Sequence, residues 1–285
     1  MKNITKNKIL APLWLETRNI IYQITGTIDL LLGKRDSLIP PAGLMNDGPQ
    51  NYAVFKKNGE DFLRYYIELC KLMPYESILD VGCGMGRKTI PLINYLDKNG
   101  KYEGIDINKR GINWCRKKIS KKHPNFSFQL IDVFNKEYNP EGSIEPSAYK
   151  FPFSDNSFDF VVLGSVFTHM LPKDMENYLS EISRVLKQNG RCLITFFLLN
   201  EKSSKLINNK KSTLTFKYEI EKYCLSIDPE TPERAVCYDE SFVMNLYNKY
   251  GLEVMKPIYY GSWCEREKKL LTDYQDIIIA RKLSS

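Results

Sequence analysis

Between Ser77 and Ala280, short apolar runs alternate with stretches whose apolar residues recur at three- and four-residue spacing. The runs read as buried strands and the periodic stretches as amphipathic helices. Strands are predicted over Ser77–Val81, Tyr102–Asp106, Phe126–Ile131, Phe158–Gly164, Arg191–Leu199, Leu252–Tyr260 and Tyr274–Ala280. Helices are predicted over Lys88–Leu96, Lys109–Lys122, Leu171–Leu186 and Ser241–Tyr250. This alternation is the signature of an α/β fold with a doubly wound sheet. Two polar stretches interrupt it: Asn135 to Asp155 reads as a surface loop or lid, and Asn200 to Asp239 as a cap insertion after the fifth strand.

Ahead of the alternating region, Ile9 to Leu32 is apolar at helical spacing, with Leu10, Leu13, Trp14, Thr17, Ile20, Ile21, Ile24, Ile28, Leu31 and Leu32 on the recurring positions. Glu16, Arg18, Gln23 and Asp29 interrupt it and would together be costly in a bilayer core, so it is no transmembrane span. The expected element is a helix packed on the domain or closing over its pocket, with membrane-surface attachment as the alternative. The organisation expected is an N-terminal helical extension or lid over 1–50 and one elaborated domain over 51–285, its insertion at about 200–240.

Composition narrows the class. With 285 residues, 43% of them hydrophobic, the chain can bury one substantial core. Its seven cysteines are odd in number and dispersed, with no CxxC pair and only two histidines, which argues against a structural zinc or a disulfide framework. No stretch at the N-terminus has the three-part organisation of a secretory signal, so a reducing, cytoplasmic setting is expected. The net charge of +7 is spread along the chain; its tightest groups, Arg116–Lys118 with Lys121–Lys122 and Lys210–Lys211, read as solvated faces. Without a recognised motif or interleaved aromatics, that charge does not point to nucleic acid.

The candidate chemistry begins in "SILDVGCGMGRKTIPL". A dinucleotide fingerprint spaces its glycines G-x-G-x-x-G. Here they stand at Gly82, Gly84 and Gly86, with Arg87 where the third would be. A phosphate-binding P-loop fits no better, since Gly86-Arg87-Lys88-Thr89 echoes only its ending. What these glycines provide is a strand-to-helix turn without side-chain bulk, against which a ligand can lie directly. Asp80 before the turn can organise amide or ammonium donors, which suits a cationic, amine-bearing cofactor better than a pyrophosphate. Twenty residues beyond Gly86, Asp106 in "YEGIDIN" is placed to accept hydrogen bonds from two ribose hydroxyls.

With "LDVGCGMGR", "YEGIDIN", "FQLIDVFN", "FDFVVLGSVFTHMLP" and "EISRVLKQNGRCLITFFLLN" in that order, the chain resembles class I S-adenosylmethionine-dependent methyltransferases, in particular bacterial small-molecule and glycan methyltransferases. The likeness runs from about Leu38 to Leu199 and more weakly to the last strands. It implies a doubly wound, seven-stranded, mostly parallel sheet and S-adenosyl-L-methionine as cofactor. It also implies that Gly82, Cys83, Gly84 and Gly86 line the methionyl part, and that Asp106 and Ile107 contact ribose and adenine. Asp132 would accept from the adenine amino group beside Val133, while Gly164 and Ser165 would border the sulfonium. Cys83 itself reads as a small packing residue.

Methyl transfer from a sulfonium is an in-line displacement, helped mainly by alignment in a dry site. A hydroxyl acceptor gains from one base, and His169 in "SVFTHMLP" is the candidate, with an orienting or packing role as the alternative. The stretch after the fourth strand offers no clustered carboxylates for a metal and lacks the Asp/Asn-Pro-Pro-Tyr/Phe pattern used on nucleobase amines. "LIPPAGLMNDGP", Leu38 to Pro49, reads as a connector or as a segment folding over the cofactor. Tyr218, Tyr223, Tyr238, Tyr259, Tyr260 and Trp263 are either ring faces for an acceptor or ordinary core and rim residues. The expected function is methyl transfer to a hydroxyl of a small molecule or glycan. N- or S-methylation of a small metabolite, or cofactor binding without catalysis, is the alternative; a nicotinamide oxidoreductase is disfavoured by the glycine spacing.

Overall fold

The computed structural model describes residues 10–45, 48, 50–209, 212–267, 271 and 273–283, with side chains from Ile20 onward. The side chains of Leu10, Leu13, Trp14 and Thr17, the pair Lys210–Lys211, and Asn46, Asp47 and Pro49 of the proline-rich connector therefore lie outside the described residues.

Seven strands form the central sheet: β1 (Ser77–Val81), β2 (Lys101–Asp106), β3 (Phe126–Leu130), β4 (Phe158–Leu163), β5 (Leu186–Phe196), β10 (Leu252–Tyr259) and β11 (Asp276–Lys282). Their spatial order is β10-β11-β5-β4-β1-β2-β3. β1 to β5 pair in parallel, while β11 runs antiparallel to both neighbours. The order reverses between β1 and β4, and the crevice beyond the carboxyl ends of those strands is where such sheets receive ligands. The doubly wound, mostly parallel sheet expected from the alternation is thus the observed fold.

Helices cover both faces. α2 (Tyr52–Glu68) starts at Asn51, whose side chain accepts from the Val54 amide at 3.0 Å, and buries Phe55, Phe62, Tyr65 and Tyr66. It covers a stretch for which the apolar pattern made no prediction. α3 (Lys109–Cys115) packs on the same face and continues into a π-helical turn over Arg116–Ser120, so the helix expected through Lys122 changes its winding midway. On the other face α4 (Pro172–Val185) opens on Pro172, where a missing amide costs nothing, and buries Met175, Tyr178, Leu179, Ile182 and Val185. α6 (Glu240–Lys249) joins it there, burying Val243, Leu246 and Tyr247.

The helix expected over Lys88–Leu96 is a correction: only a 3-10 turn at Ile90–Asn94 forms. Pro91 cannot donate a helical bond. The segment also lies against α2, where a β-carbon on Gly59 would sit 2.4 Å from the Arg87 carbonyl oxygen.

The polar insertion is more ordered than its composition suggests. α5 (Glu201–Asn208) is followed by β7 (Tyr218–Glu221), β8 (Cys224–Ser226) and β9 (Val236–Asp239). With β6 (Leu198–Leu199) these strands form a second sheet in the order β6-β9-β8-β7. Phe197, Phe216, Cys237 and Trp263 supply its apolar core. Asp276, wholly buried at the start of β11, ties this cap to the main sheet by accepting from the Leu198 and Gly261 amides, the Trp263 indole and the Arg266 guanidinium at 2.7–2.9 Å. The N-terminal α1 (Leu10–Leu31) touches the body through Gly26, whose missing β-carbon would meet the Pro41 ring at 2.5 Å, and through Asp29, which accepts from Tyr52 at 2.7 Å.

Candidate active site

The glycine turn leaves β1 with Gly82, Gly84 and Gly86 all at positive φ, at 82°, 55° and 81°. A side chain is excluded at Gly82 for a second reason: its β-carbon would lie 2.4 Å from a Val166 methyl, across the switch point. The Gly82 and Cys83 amides donate to the Ile105 carbonyl at 2.8 and 3.2 Å, which holds the turn over the end of β2. At that end Asp106 accepts from the Gly84 amide and from the Asn108 amide, both at 2.6 Å. Charged acceptors make the stronger bonds, so this carboxylate fixes the turn.

Asp80 is buried and accepts from the Tyr102 hydroxyl at 2.8 Å; that hydroxyl in turn lies 2.7 Å from Thr89 Oγ1. Burial, and then the neighbouring carboxylate of Asp80, pushes the Tyr102 phenol well above its ordinary range, so it stays a donor. The Cys83 thiol is pushed up as well, first by burial and then by Asp106 and Asp80, so it packs and does not react.

Lys88 was not among the residues singled out from sequence. Its chain is buried, and its ammonium lies 3.1 Å from the Gly164 carbonyl, 3.4 Å from the Gly82 carbonyl and 3.8 Å from Asp80 Oδ1. An ammonium group is therefore held between the ends of β1 and β4, with the carboxylate that was expected to organise such donors close by.

The other expected contacts lie along the same carboxyl edge. Ile107 is half-buried against the core and Val133 is buried. Asp132 is exposed and hydrogen-bonded to the Ser143 hydroxyl. Ser165 adopts a left-handed φ of 62°, rare for a residue with a side chain. Its amide donates to Thr195 Oγ1 at 2.7 Å, and its hydroxyl donates to Gln275 Oε1 at 3.1 Å. A cavity of about 140 Å³ opens here between α2 and the start of β11, lined by Asp61, Phe62, Lys88, Gly164, Ser165 and Gln275 among others. Tyr65, on the same face of α2, has its phenol pushed up to about 12 by burial and by Asp273 and Asp61.

His169 stands apart from that cavity, whose lining does not include it. Its Nδ1 lies 2.9 Å from the Glu233 carbonyl oxygen. A carbonyl only accepts, so Nδ1 carries a proton. The ring meets Tyr138 edge-on at 5.1 Å, and Asn135 donates to the His169 carbonyl at 3.0 Å. Of the tyrosines considered for an acceptor, Tyr238 is wholly buried, as is Trp263, and Tyr223 stacks on Phe242. For Tyr238 and Trp263 the core reading is the observed one, while Tyr223 is 41% exposed.

The profile of the methyltransferase domain family matches residues 74–236, more than half of the chain. The chain belongs to that family. Similar curated sequences include a ubiquinone/menaquinone biosynthesis C-methyltransferase of Wigglesworthia glossinidia brevipalpis, 32% identical over 44% of this chain and 44% of its own length. A fatty-acid O-methyltransferase of Mycolicibacterium smegmatis is 30% identical over 41% of this chain and 36% of its own. This methyltransferase-family chain thus spans under half the length of the curated relatives it matches. Among solved structures, magnesium protoporphyrin IX methyltransferase from Synechocystis PCC 6803 with bound SAH superposes over 93% of this chain and 99% of its own, with a TM-score of 0.51 and 14% identity. That likeness is one of fold.

Proposed function

We propose that the chain transfers a methyl group from S-adenosyl-L-methionine to a hydroxyl of a small molecule or glycan. The observation that carries the cofactor assignment is the bare glycine turn at positive φ, tied through the Gly84 amide to the Asp106 carboxylate at the end of β2. A nucleoside cofactor without phosphates suits this turn, because the Asp80 and Asp106 carboxylates beside it would repel a pyrophosphate. When bound, the cofactor supplies an electrophilic methyl group on a sulfonium.

In this reading Gly82, Cys83, Gly84 and Gly86 present bare backbone to the methionyl part. Asp106 takes ribose hydroxyls, with Ile107 beside the nucleoside, and Asp132 takes the adenine amine next to Val133. Gly164 and Ser165 border the reacting centre. Asp80 balances the ammonium charge from beneath the turn. His169, its tautomer set by the Glu233 carbonyl, presents the Nε2 lone pair that would take up a hydroxyl proton. The named relatives, which include a quinone-biosynthesis and a fatty-acid methyltransferase, support a small-molecule acceptor. The seven cysteines are all buried and none is joined in a disulfide, which supports the reducing, cytoplasmic setting.

One observation favours a second reading. Because His169 does not line the cavity beside Lys88, an acceptor that needs no base, a neutral amine or a thiolate, fits the same geometry. Calorimetry with S-adenosylmethionine and S-adenosylhomocysteine, using NADH as control, tests the cofactor. Micromolar binding of the first two alone is expected, and binding of NADH alone would overturn the assignment. Turnover by His169→Ala on a panel of hydroxyl, amine and thiol acceptors then separates the two readings: loss with hydroxyl acceptors supports the base, and undiminished turnover removes it.

A further inference from the structure

The outward side of α1 has no role in the site described above. Ile20, Ile21, Ile24, Ile28, Leu31 and Leu32 are 49–81% exposed. At about 100° per residue they fall within an arc of about 120°. Leu32 extends the helical ladder, its amide donating to the Ile28 carbonyl at 2.9 Å. The opposite side is consumed by the body: Gly26 lies against Pro41, Tyr22 against Gly43, and Asp29 accepts from Tyr52. The helix therefore turns its one described carboxylate inward and a continuous aliphatic stripe outward, a much larger contiguous apolar feature than scattered surface residues produce.

A cationic cluster adjoins this helix. Arg35 donates to the Gly26 carbonyl at 2.9 Å and stands 5.9 Å from the Trp114 ring, over which Lys118 also lies at 5.2 Å. Lys118 is held below its ordinary range by desolvation and by the charges of Lys117, Arg35 and Lys122. None of the ion pairs among the described residues involves Lys117, Lys118, Lys121 or Lys122. Among the described residues no acid pairs with the exposed members of this cluster, and the whole chain carries a net +7.

We infer that α1 and this cluster form a docking surface for a lipid membrane with anionic headgroups, the aliphatic stripe immersed in the interface and the lysines attracting the headgroups. Charge selects this occupant over a second copy of the chain, because the lysines beside the helix complement anionic headgroups and not another chain that carries the same net +7. The helix lies on the bilayer and does not cross it: among the described residues no helix is long and apolar enough to span a membrane. The inference is independent of the proposed cofactor and acceptor.

Flotation of the full chain with vesicles tests it. The chain is expected to float with phosphatidylglycerol-phosphatidylcholine vesicles, and at least tenfold less with phosphatidylcholine alone or in 0.5 M salt, a concentration on the order that screens such attraction to a few ångströms. The double substitution Ile24→Glu with Ile28→Glu is expected to abolish flotation. Lys117→Gln, Lys118→Gln and Lys122→Gln together should weaken it about tenfold or more. Melting temperature and S-adenosylhomocysteine binding check that the variants fold. As a readout that keeps the stripe intact, Leu31→Trp should gain a blue-shifted fluorescence component on adding anionic vesicles. Equal flotation of the wild type and the glutamate variant overturns the inference. So does a wild-type chain that ignores vesicles and sediments as a dimer that the glutamate substitutions dissociate.

Discussion

On the glycine-turn side of the crevice, the polar bonds are made at short range along the chain: Gly84 to Asp106 and Tyr102 to Asp80 each span 22 residues. On the opposite side they join distant segments, with 64 residues between His169 and Glu233, 80 between Thr195 and Gln275, and 110 between Ser165 and Gln275. The near side is one strand-turn-strand unit whose geometry follows from glycine backbone and two carboxylates. The far side exists only after β11 and the cap have docked. In the reading proposed above, cofactor holding therefore resides in a local unit and acceptor choice in structure assembled from elsewhere.

The sharpest way to break this division is Gly82→Ala. The new β-carbon meets Val166 at 2.4 Å in a backbone region that favours glycine. Cofactor affinity is expected to fall more than a hundredfold, roughly 3 kcal/mol, in calorimetry with S-adenosylhomocysteine. A partial recovery on adding Val166→Ala would show how much of that loss is steric.

The next effect lies on the far side. Burial raises the Asp276 carboxyl from 3.8 to about 6, although Arg266 and three hydrogen-bond donors oppose the shift. A carboxyl whose folded pKa is raised contributes stability that is full below about pH 4 and lost as the pH rises through about 6. Across that window the change amounts to about 3 kcal/mol by the usual conversion. Denaturant titrations from pH 4 to 7 should show this slope in the wild type and its absence in Asp276→Asn. Parallel curves for the two proteins would mean that the carboxyl titrates normally.

Asp106→Asn keeps the side chain's size but removes its charge. Cofactor affinity should drop about tenfold to a hundredfold, the range for hydrogen bonds to a charged group, with less effect on melting temperature. The smallest effect belongs to Gln275→Ala, which releases Ser165 and Thr195. The acceptor KM should rise several-fold, equivalent to about 1 kcal/mol, while cofactor affinity stays within twofold. If cofactor affinity fell as far as the acceptor KM rose, the two sides of the crevice would be one energetic unit and the comparison would fail.

Much of the near side was legible in the sequence, because its information is local. Three glycines at alternate positions and an acid twenty residues later describe a turn and its acceptor without reference to any other part of the chain. Lys88 was not legible: nothing in "GRKTIPL" says that its ammonium turns inward to two carbonyls, and the helical spacing there even predicted an element that Pro91 and contact with α2 prevent. The strands within the cap escaped for a related reason. Its short strands pair through β9, and its polar residues alternate too briefly to show a period.

The amino-acid order by itself determined the succession of the seven strands of the main sheet and the backbone freedom the glycine turn requires. These follow from side-chain period and from local φ and ψ preferences, which neighbouring residues set. Only the tertiary structure decided which apolar faces are covered. α1 and α2 both carry an apolar face, yet α2 buries Phe62 and Tyr66 while α1 leaves Ile24 and Leu31 in solvent. Periodicity states that a helix has an apolar side; whether anything packs against it depends on contacts between residues far apart in the chain.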